Sequence, residues 1–357
     1  MDVEEKIRVF ESITQELVTK DELRVLLETK PNAMAYDGFE PSGLAHLPVG
    51  IYRPLLLKQL LSTGVSFTLY LADSFAWINE KAGGDLDNAK KIGDYYLEVW
   101  RAAGLDLSKI NVVWASKLMD GFDYWKTVLQ VARNHTEKRT KRVLTIAGRS
   151  EDAKLTAAQL FYPSMQAADI FQMNIDICQL GMDQRKASML AREIAPAMGR
   201  RKPIAAHHKM LLGLDGASSA SFSDEERMNV KMSKSKPSTC IFVHDSEEEI
   251  TKKISKAYCP EKVVEGNPIL EYAQELVFRA KSEFAIHRPA KFGGDVAFHS
   301  YKTLEHAFAK GEVHPADLKA AVASEINALI HPVRNHFESN ARAKRLLHEV
   351  RQIGVTR

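Results

Sequence analysis

Apolar, β-rich runs alternate with helical segments through much of this chain, and this alternation is the feature that most constrains its fold. The runs that predict strands lie near residues 33–39, 65–73, 110–116, 175–180 and 204–211. The helical patterns between them lie near residues 48–63, 86–103 and 182–199. Strands joined through helices pair in parallel, with right-handed crossovers. The alternation therefore predicts an α/β fold with a doubly wound parallel sheet.

The alternation occupies only part of the chain, and other patterns flank it. With 357 residues there is room for about two domains. Residues 1–32 are predicted as N-terminal helices, and residues 33–230 as the sheet domain, which residues 118–174 interrupt as a helical insertion. Residues 231–245 form a loop and linker. The pattern from residue 246 to 357 is mainly helical and predicts a second, α-helical domain.

The N-terminal segment carries clear helix signals. Its apolar residues recur at helical spacing, at Ile7, Phe10, Ile13 and Leu17. Thr19 and Glu22 then form the sequence pattern of a capping box, which marks the start of a second helix.

Composition excludes several classes of protein. The chain is 45% hydrophobic and 27% charged, which is typical of an ordinary globular protein. The net charge of +3 neither indicates nor excludes a polyanionic partner, because local patches determine such contacts. The acidic N-terminus and the lack of a long apolar run predict a cytoplasmic protein with no membrane partner. Three widely separated cysteines argue against a disulfide framework and a structural zinc site.

A short motif with two lysines is the most specific local feature. It consists of Lys231, Met232, Ser233, Lys234 and Ser235. Two mobile lysines can follow the charge that develops on a departing pyrophosphate, which stabilises a transition state more than bound ATP. Solvated loops also contain such residues. A given five-residue string, however, occurs by chance in roughly 1 in 10,000 chains of this length.

A second specific motif follows the first predicted strand. Residues 35–50 read Ala-Tyr-Asp-Gly-Phe-Glu-Pro-Ser-Gly-Leu-Ala-His-Leu-Pro-Val-Gly. Here, at residues 181–186, 257–268 and 291–295, and in the lysine motif, the chain resembles the tyrosyl-tRNA synthetases of the archaeal and eukaryotic type. These are class I aminoacyl-tRNA synthetases with a Rossmann-like catalytic domain. The resemblance implies a tyrosine–tRNA ligase that uses ATP with Mg²⁺ and acts on tRNA(Tyr). It also implies a homodimer with its interface near the inserted helices.

The resemblance assigns a nucleotide site. His46, Lys231 and Lys234 are the expected catalytic residues, and Gly38, His46 and residues 231–235 are the expected ATP-binding residues. The family signature is His-x-Gly-His or a looser relative, whereas this chain has His46-Leu47-Pro48-Val49, without the glycine and the second histidine. A histidine alone is more often structural, and Gly38 could serve only a turn. Both motifs follow strands, however, so they should meet at the same rim of the sheet.

The resemblance also assigns a tyrosine pocket. Tyr162, Gln166 and Asp169 stand at helical spacing and form one polar stripe on an otherwise apolar helix, which faces either water or a polar pocket. The family motif places the substrate phenol against Tyr36 and Asp169, and its ammonium against Tyr162, Gln166 and Gln184. Tyr36 alone would be interpreted as strand packing.

Two surfaces are candidates for RNA contact. The first is a basic cluster in the inserted region, at Lys138, Arg139, Lys141 and Arg142. The resemblance adds Arg185 beside it, and in the C-terminal domain it adds Phe292 and Asp317 as anticodon-reading residues. The cluster is nearly as well explained as a solvated helix face. Asp317 could instead complement a helix N-terminus after Pro315.

Three other functions remain open on sequence alone. A tryptophanyl enzyme would share the fold, but Asp169 and the Asp183-Gln184-Arg185 string count against it. A small-molecule ligase such as pantothenate synthetase would share the nucleotide motifs but not the anticodon-like strings. A non-catalytic RNA-binding paralogue would be expected to lose the lysines and the pocket.

Overall fold

A computed structural model describes residues 1–144, 154–217 and 230–353, and the side chain of Phe292 lies outside this description. The strands are β1 Glu16–Val18, β2 Met34–Phe39, β3 Ser66–Leu71, β4 Asn111–Trp114, β5 Ile177–Cys178, β6 Ile204–His207, β7 Phe284–Ile286 and β8 Val296–Phe298. The α-helices are α1 Val3–Ile13, α2 Lys20–Thr29, α3 Arg53–Ser62, α4 Asp73–Ile78, α5 Leu86–Ala102, α6 Ala115–Leu118, α7 Phe122–Arg133, α8 Glu137–Leu144, α9 Ala157–Gln172, α10 Arg185–Ile194, α11 Glu247–Ser255, α12 Pro268–Tyr272, α13 Phe278–Ala280, α14 Tyr301–Lys310, α15 Pro315–Ser339 and α16 Ala341–Gln352. π-helical turns precede α3 at Pro48–Tyr52 and α13 at Ala273–Val277.

The main sheet has the strand order β1-β6-β5-β2-β3-β4. Strands β2 to β6 are parallel, and β1 pairs antiparallel with β6. From β2 the chain moves to β3 and β4 on one side, then returns to β5 and β6 on the other. The order therefore reverses between β2 and β5, and ligands of such sheets bind beyond the carboxyl ends of the strands at that point. The predicted doubly wound α/β fold class is confirmed.

The prediction for the N-terminal segment was incomplete. Helix α1 ends at Ile13, so Leu17, which the spacing assigned to a helix, lies in strand β1. This strand joins the sheet, with Glu16 paired to His207 of β6. Three residues are too few to display a strand period, which explains why the sequence pattern missed β1. The capping box of Thr19 and Glu22 is present and begins α2.

The sheet separates two apolar cores. One contains residues of α1, α2, α3 and α5 and continues into the C-terminal helices. The other contains residues of the inserted helices α7 and α9 and of helix α10, with Tyr36 and Tyr70 from the sheet. Side chains alternate along a strand, so Tyr36 and Gly38 of β2 share one face while Ala35 and Asp37 share the other. Tyr36 therefore points into the core formed with the insertion.

The C-terminal part is mainly helical, as predicted, but it also contains the β7–β8 hairpin. Helices α15 and α16 pack against α5 of the sheet domain. Phe337 of α15 lies against Tyr95 with ring centroids 5.5 Å apart, and His336 contacts Glu98 at 2.9 Å. Among the described residues, no helix has the length and apolar character needed to cross a membrane.

Candidate active site

The expected site residues come together where the strand order reverses. Strand β2 carries Tyr36 and Gly38, and the segment that follows it carries Glu40, Ser42 and His46. The neighbouring strand β5 pairs with β2 in the register of Tyr36 and Cys178, and leads to the segment that holds Asp183 and Gln184. Both segments leave the carboxyl ends of parallel strands, where ligands of such sheets bind.

Four buried oxygens in and around this part of the core have no hydrogen-bond partner. They are the hydroxyls of Tyr36 and Tyr70, Oδ2 of Asp169 and Oε1 of Gln166. Tyr36 is 2% exposed and Asp169 is 1% exposed. An unpaired buried polar group costs about 1–3 kcal/mol, so several of them together indicate a site for a polar ligand. Helix α9 presents Gln166 and Asp169 from one stripe, as their spacing predicted.

Asp169 has one further partner that the sequence did not reveal. The hydroxyl of Tyr124, on α7, donates to its Oδ1 at 2.8 Å. Burial raises the pKa of Asp169 to about 8, and the hydrogen bond from Tyr124 is the main influence that opposes this shift. Tyr124 lies 45 residues before Asp169, and no motif marks it. Only the packing of α7 against α9 brings the two side chains together.

Two other residues of helix α9, Gln166 and Tyr162, make hydrogen bonds to the segments that follow β5 and β2. Nε2 of Gln166 donates to Oε1 of Gln184 at 2.9 Å, which joins α9 to the segment after β5. The Tyr162 hydroxyl donates to Oε1 of Glu40. The other Glu40 oxygen lies 3.5 Å from the Lys81 ammonium. Glu40 was not predicted as a site residue, although it lies within the string that carries the family resemblance.

The two motif lysines and His46 also lie close together. The segment around His46 pairs with the residues after the lysine motif, through a backbone bridge between His46 and Phe242. Nζ of Lys234 donates to Oγ of Ser42 at 2.7 Å, and Nζ of Lys231 lies 2.7 Å from Oδ2 of Asp183. Burial, followed by the charges of Lys234 and Lys231, lowers the pKa of His46 well below its ordinary value. His46 is therefore neutral, and its Nδ1 has no partner.

The remaining motif residues have structural contacts. Met232 is buried, and its backbone N–H donates to the carbonyl of Leu211 at 2.7 Å, which fixes the motif against the chain that follows β6. The hydroxyls of Ser233 and Ser235 lie 2.9 Å apart. These contacts hold the motif in shape while both lysine side chains point towards the segments after β2 and β5.

Gly38 has a packing role beside its predicted role at the nucleotide. A Cβ at this position would lie 3.3 Å from Cδ1 of Tyr70, its register partner in β3. That separation is tighter than ordinary van der Waals contact, so a larger residue would displace the Tyr70 ring. Because that ring belongs to the same apolar cluster as Tyr36, the absence of a side chain at Gly38 also preserves the pocket.

A buried ion pair lies on the opposite face of β2. Nε of Arg53 is 2.7 Å from Oδ2 of Asp37, and Nη2 of Arg53 donates to the carbonyl of Gln179 at 3.0 Å. Burial raises the pKa of Asp37 to about 7, although the Arg53 charge opposes this shift. The pair connects α3 to β2 and to the end of β5. It was not predicted, because Arg53 lies outside the motifs and nothing in the sequence marks its pairing with Asp37.

The predicted RNA-contact residues lie in two other parts of the molecule. The basic cluster is on α8, where Arg139 is paired with Glu193 at 2.6 Å and Lys141 with Glu137 at 2.6 Å. Lys138 and Arg142 are also exposed on this helix. Arg185 is paired with Glu16 of β1 at 2.8 Å.

The C-terminal candidates are separate from this cluster. Asp317 is in the first turn of α15, where a carboxylate also complements the helix dipole. The backbone of Phe292 lies in a short 3₁₀ turn, Ala290–Phe292, and its side chain is outside the described part.

Comparison with known proteins assigns the chain to a family. A model described as tRNA synthetases class I (W and Y) matches residues 28–331. Tyrosine–tRNA ligase of Sulfurisphaera tokodaii is 43% identical over 100% of this chain and 99% of its own length. The crystal structure of tyrosyl-tRNA synthetase complexed with L-tyrosine from Pyrococcus horikoshii has a TM-score of 0.89 and 38% identity, covering 98% of this chain and 100% of that one. The chain belongs to the class I tyrosyl-tRNA synthetases.

The other comparisons agree with this assignment. Tyrosine–tRNA ligase 2, cytoplasmic, of Arabidopsis thaliana is 43% identical over 100% of this chain, which spans 46% of that protein. A tryptophanyl-tRNA synthetase from Aeropyrum pernix has a TM-score of 0.68 at 16% identity, which indicates a shared fold and nothing more. The predicted family and enzyme class are confirmed, and class I synthetases use ATP as a substrate.

Proposed function

We propose that this chain activates L-tyrosine with ATP to form tyrosyl-adenylate and pyrophosphate, and then transfers tyrosine to tRNA(Tyr). The observation that carries the proposal is the set of unpaired buried oxygens on Tyr36, Asp169 and Gln166. A tyrosine phenol can donate one hydrogen bond and accept another, so it would pair Asp169 and Tyr36 together. Phenylalanine would leave both unpaired, which gives the site a physical basis for selectivity.

The other end of the substrate would meet acceptors. In our proposal its ammonium donates to Oε1 of Gln166, to the Tyr162 oxygen and to the carboxylate of Glu40. The Tyr162 hydroxyl already donates to Glu40, so its oxygen lone pairs are free to accept. Gln184 takes part by orienting the amide of Gln166 through their hydrogen bond.

Adenylate formation in this site would depend on positioning and electrostatics. The tyrosine carboxylate attacks the α-phosphate of ATP, and pyrophosphate leaves with increased negative charge. Lys231, Lys234 and the neutral His46 lie together at the strand ends, where two cations and an imidazole can stabilise that charge. The carboxylate of the substrate tyrosine is itself the nucleophile, so no side chain of the protein forms a covalent bond with the substrate.

Magnesium would accompany the triphosphate. Within residues 1–144, 154–217 and 230–353, no group of three His, Cys, Asp or Glu side chains could hold a metal ion. We propose that the ion is held mainly by phosphate oxygens and water, which is the usual arrangement for Mg²⁺ with nucleotides. The ion would neutralise triphosphate charge, and the lysines and His46 would bind the remaining oxygens.

The tRNA would contact both basic and C-terminal surfaces. Lys138, Arg142 and their neighbours on α8 supply exposed positive charge for phosphate contacts. For the anticodon we propose stacking on Phe292 and a hydrogen bond from a guanine edge to Asp317. Arg185 would have to exchange its ion pair with Glu16 for a phosphate.

We propose a homodimer through the insertion. Helix α7 carries an apolar stripe at i, i+3 and i+7, formed by Phe122 at 81% exposure, Trp125 and Leu129. Phe161 on the adjacent helix α9 is also exposed. Such a stripe on two packed helices is typical of a surface that another copy covers. We expect Phe122→Glu to lower the sedimentation coefficient from the value of a dimer to that of a monomer. Val25→Glu, which changes another exposed apolar residue, should leave the value unchanged.

Amino-acid-dependent pyrophosphate exchange tests the activity. We expect exchange with tyrosine and little with tryptophan, β-alanine or pantoate. Exchange with tryptophan would favour the tryptophanyl alternative, and no exchange with any substrate would favour a non-catalytic paralogue. We also propose a cytoplasmic location, supported by the name of the Arabidopsis relative, which microscopy of a tagged chain would test.

A further inference from the structure

The ammonium of Lys234 is held by two elements that are distant in sequence. It donates to Oγ of Ser42 at 2.7 Å and to the carbonyl of Ser42 at 3.3 Å. It also donates to the hydroxyl of Tyr96 at 2.9 Å, and lies 5.6 Å from the centroid of the Tyr96 ring. Ser42 belongs to the segment that leads to His46, whereas Tyr96 is on α5 and belongs to no motif.

The Tyr96 side chain is held in place by the residues packed around it. It is 1% exposed, and its ring lies 5.7 Å from that of Trp100 and 5.8 Å from that of Tyr95. Trp100 in turn donates from Nε1 to the carbonyl of Val49 at 2.8 Å, which ties α5 to the turn just after His46. This packing therefore fixes the position of the Tyr96 hydroxyl relative to the nucleotide site.

Lys231 and Lys234 have partners of different charge. Lys231 is paired with the carboxylate of Asp183, which partly compensates its charge. Tyr96 and Ser42 are neutral, so they orient the Lys234 ammonium without neutralising it. The phenol oxygen of Tyr96 accepts one hydrogen of the ammonium.

We propose that Tyr96 is a positioning residue for adenylate formation, which holds the Lys234 ammonium beside Ser42 and His46 before ATP binds. This proposal rests on the proposed function. A lysine side chain loses rotamer entropy when it is fixed, and a preorganised cation spares that cost during the reaction. Tyr96 therefore affects catalysis only through Lys234.

Tyr96→Phe removes the hydroxyl and retains the ring. In single-turnover measurements at saturating tyrosine, we expect the rate constant of adenylate formation divided by the half-saturating ATP concentration to fall by about three- to tenfold. This is the range for one lost hydrogen bond. Tyrosine affinity by calorimetry should not change, since Tyr96 does not contact the pocket oxygens. Tyr52→Phe is the matched control, because it removes another buried hydroxyl, one that contacts Glu275 and not Lys234.

The Lys234→Ala background separates positioning from a structural role. If Tyr96 acts through Lys234, Tyr96→Phe causes no further loss in that background, and the double-mutant cycle is strongly non-additive. Equal losses in both backgrounds would overturn the proposal, and so would a Tyr96→Phe enzyme that matches wild type. If wild type itself lacks tyrosine-dependent exchange, the proposed function fails instead, and the two failures are thus distinguished.

Discussion

Replacing Tyr36 by phenylalanine removes one oxygen from the pocket and nothing else. The Tyr36 hydroxyl is buried without a partner, so its removal should not lower the stability of the substrate-free protein. With tyrosine bound, the same change removes one hydrogen bond to the substrate phenol. With phenylalanine bound, no bond is lost. The variant should therefore discriminate less well between the two amino acids.

The loss of discrimination can be estimated from the buried hydrogen bond between the Tyr36 hydroxyl and the substrate phenol. A neutral hydrogen bond contributes about 0.5–1.5 kcal/mol, and an unpaired buried group costs about 1–3 kcal/mol. We expect the preference for tyrosine over phenylalanine to narrow by about 1–2 kcal/mol, or roughly 5–30-fold in the ratio of kcat/KM values. Tyrosyl-tRNA synthetases are the standard example of rejection of a substrate that lacks one hydroxyl. The assay is pyrophosphate exchange with each amino acid, using purified wild type and variant.

Tyr272→Phe provides a control with the opposite pattern. Tyr272 is fully buried, but its hydroxyl donates to the carbonyl of Leu212, away from the pocket. Its loss should lower Tm and leave the discrimination ratio unchanged, whereas Tyr36→Phe should change the ratio without lowering Tm. If Tyr36 only packs in β2, its replacement will leave the ratio as in wild type, and the assignment of the phenol site is then wrong.

Three further predictions address other parts of the molecule. Lys234→Ala should lower adenylate formation by at least about tenfold with tyrosine affinity nearly unchanged; equal losses in exchange kinetics and calorimetric affinity would indicate a structural loop. Asp317→Ala should weaken tRNA charging at limiting tRNA while tyrosine-dependent exchange stays intact, and unchanged charging would contradict the anticodon assignment. Burial raises the pKa of Asp169 from 3.8 to about 8, so the stability that its protonated form contributes is present below about pH 4 and is lost as pH rises through 8. Asp169→Asn cannot ionise, so its free energy of unfolding without tyrosine should increase relative to wild type between pH 5 and 9, and a constant difference in urea denaturation would refute this.

The parts of the site that the sequence revealed are those encoded by neighbouring residues. The stripe of Gln166 and Asp169 follows from the period of a single helix, and the structure places both residues on helix α9. The capping box at Thr19 is likewise a contact between residues three apart. The residues proposed for the tyrosine pocket and the lysine motif were identified from short strings of residues, and their expected roles came from the family resemblance.

The sequence by itself determined the alternation of elements, and with it the fold class and the rim on which the motifs meet. Tertiary structure decided which side chains face each other across long separations. Tyr124 reaches Asp169 over 45 residues, Tyr96 reaches Lys234 over 138, and Glu16 of the unpredicted strand β1 reaches Arg185 over 169. Helix and strand periods are local, because they depend on the backbone geometry of a few adjacent residues. Contacts between elements depend instead on how the helices pack on the sheet, and no spacing along the chain records that.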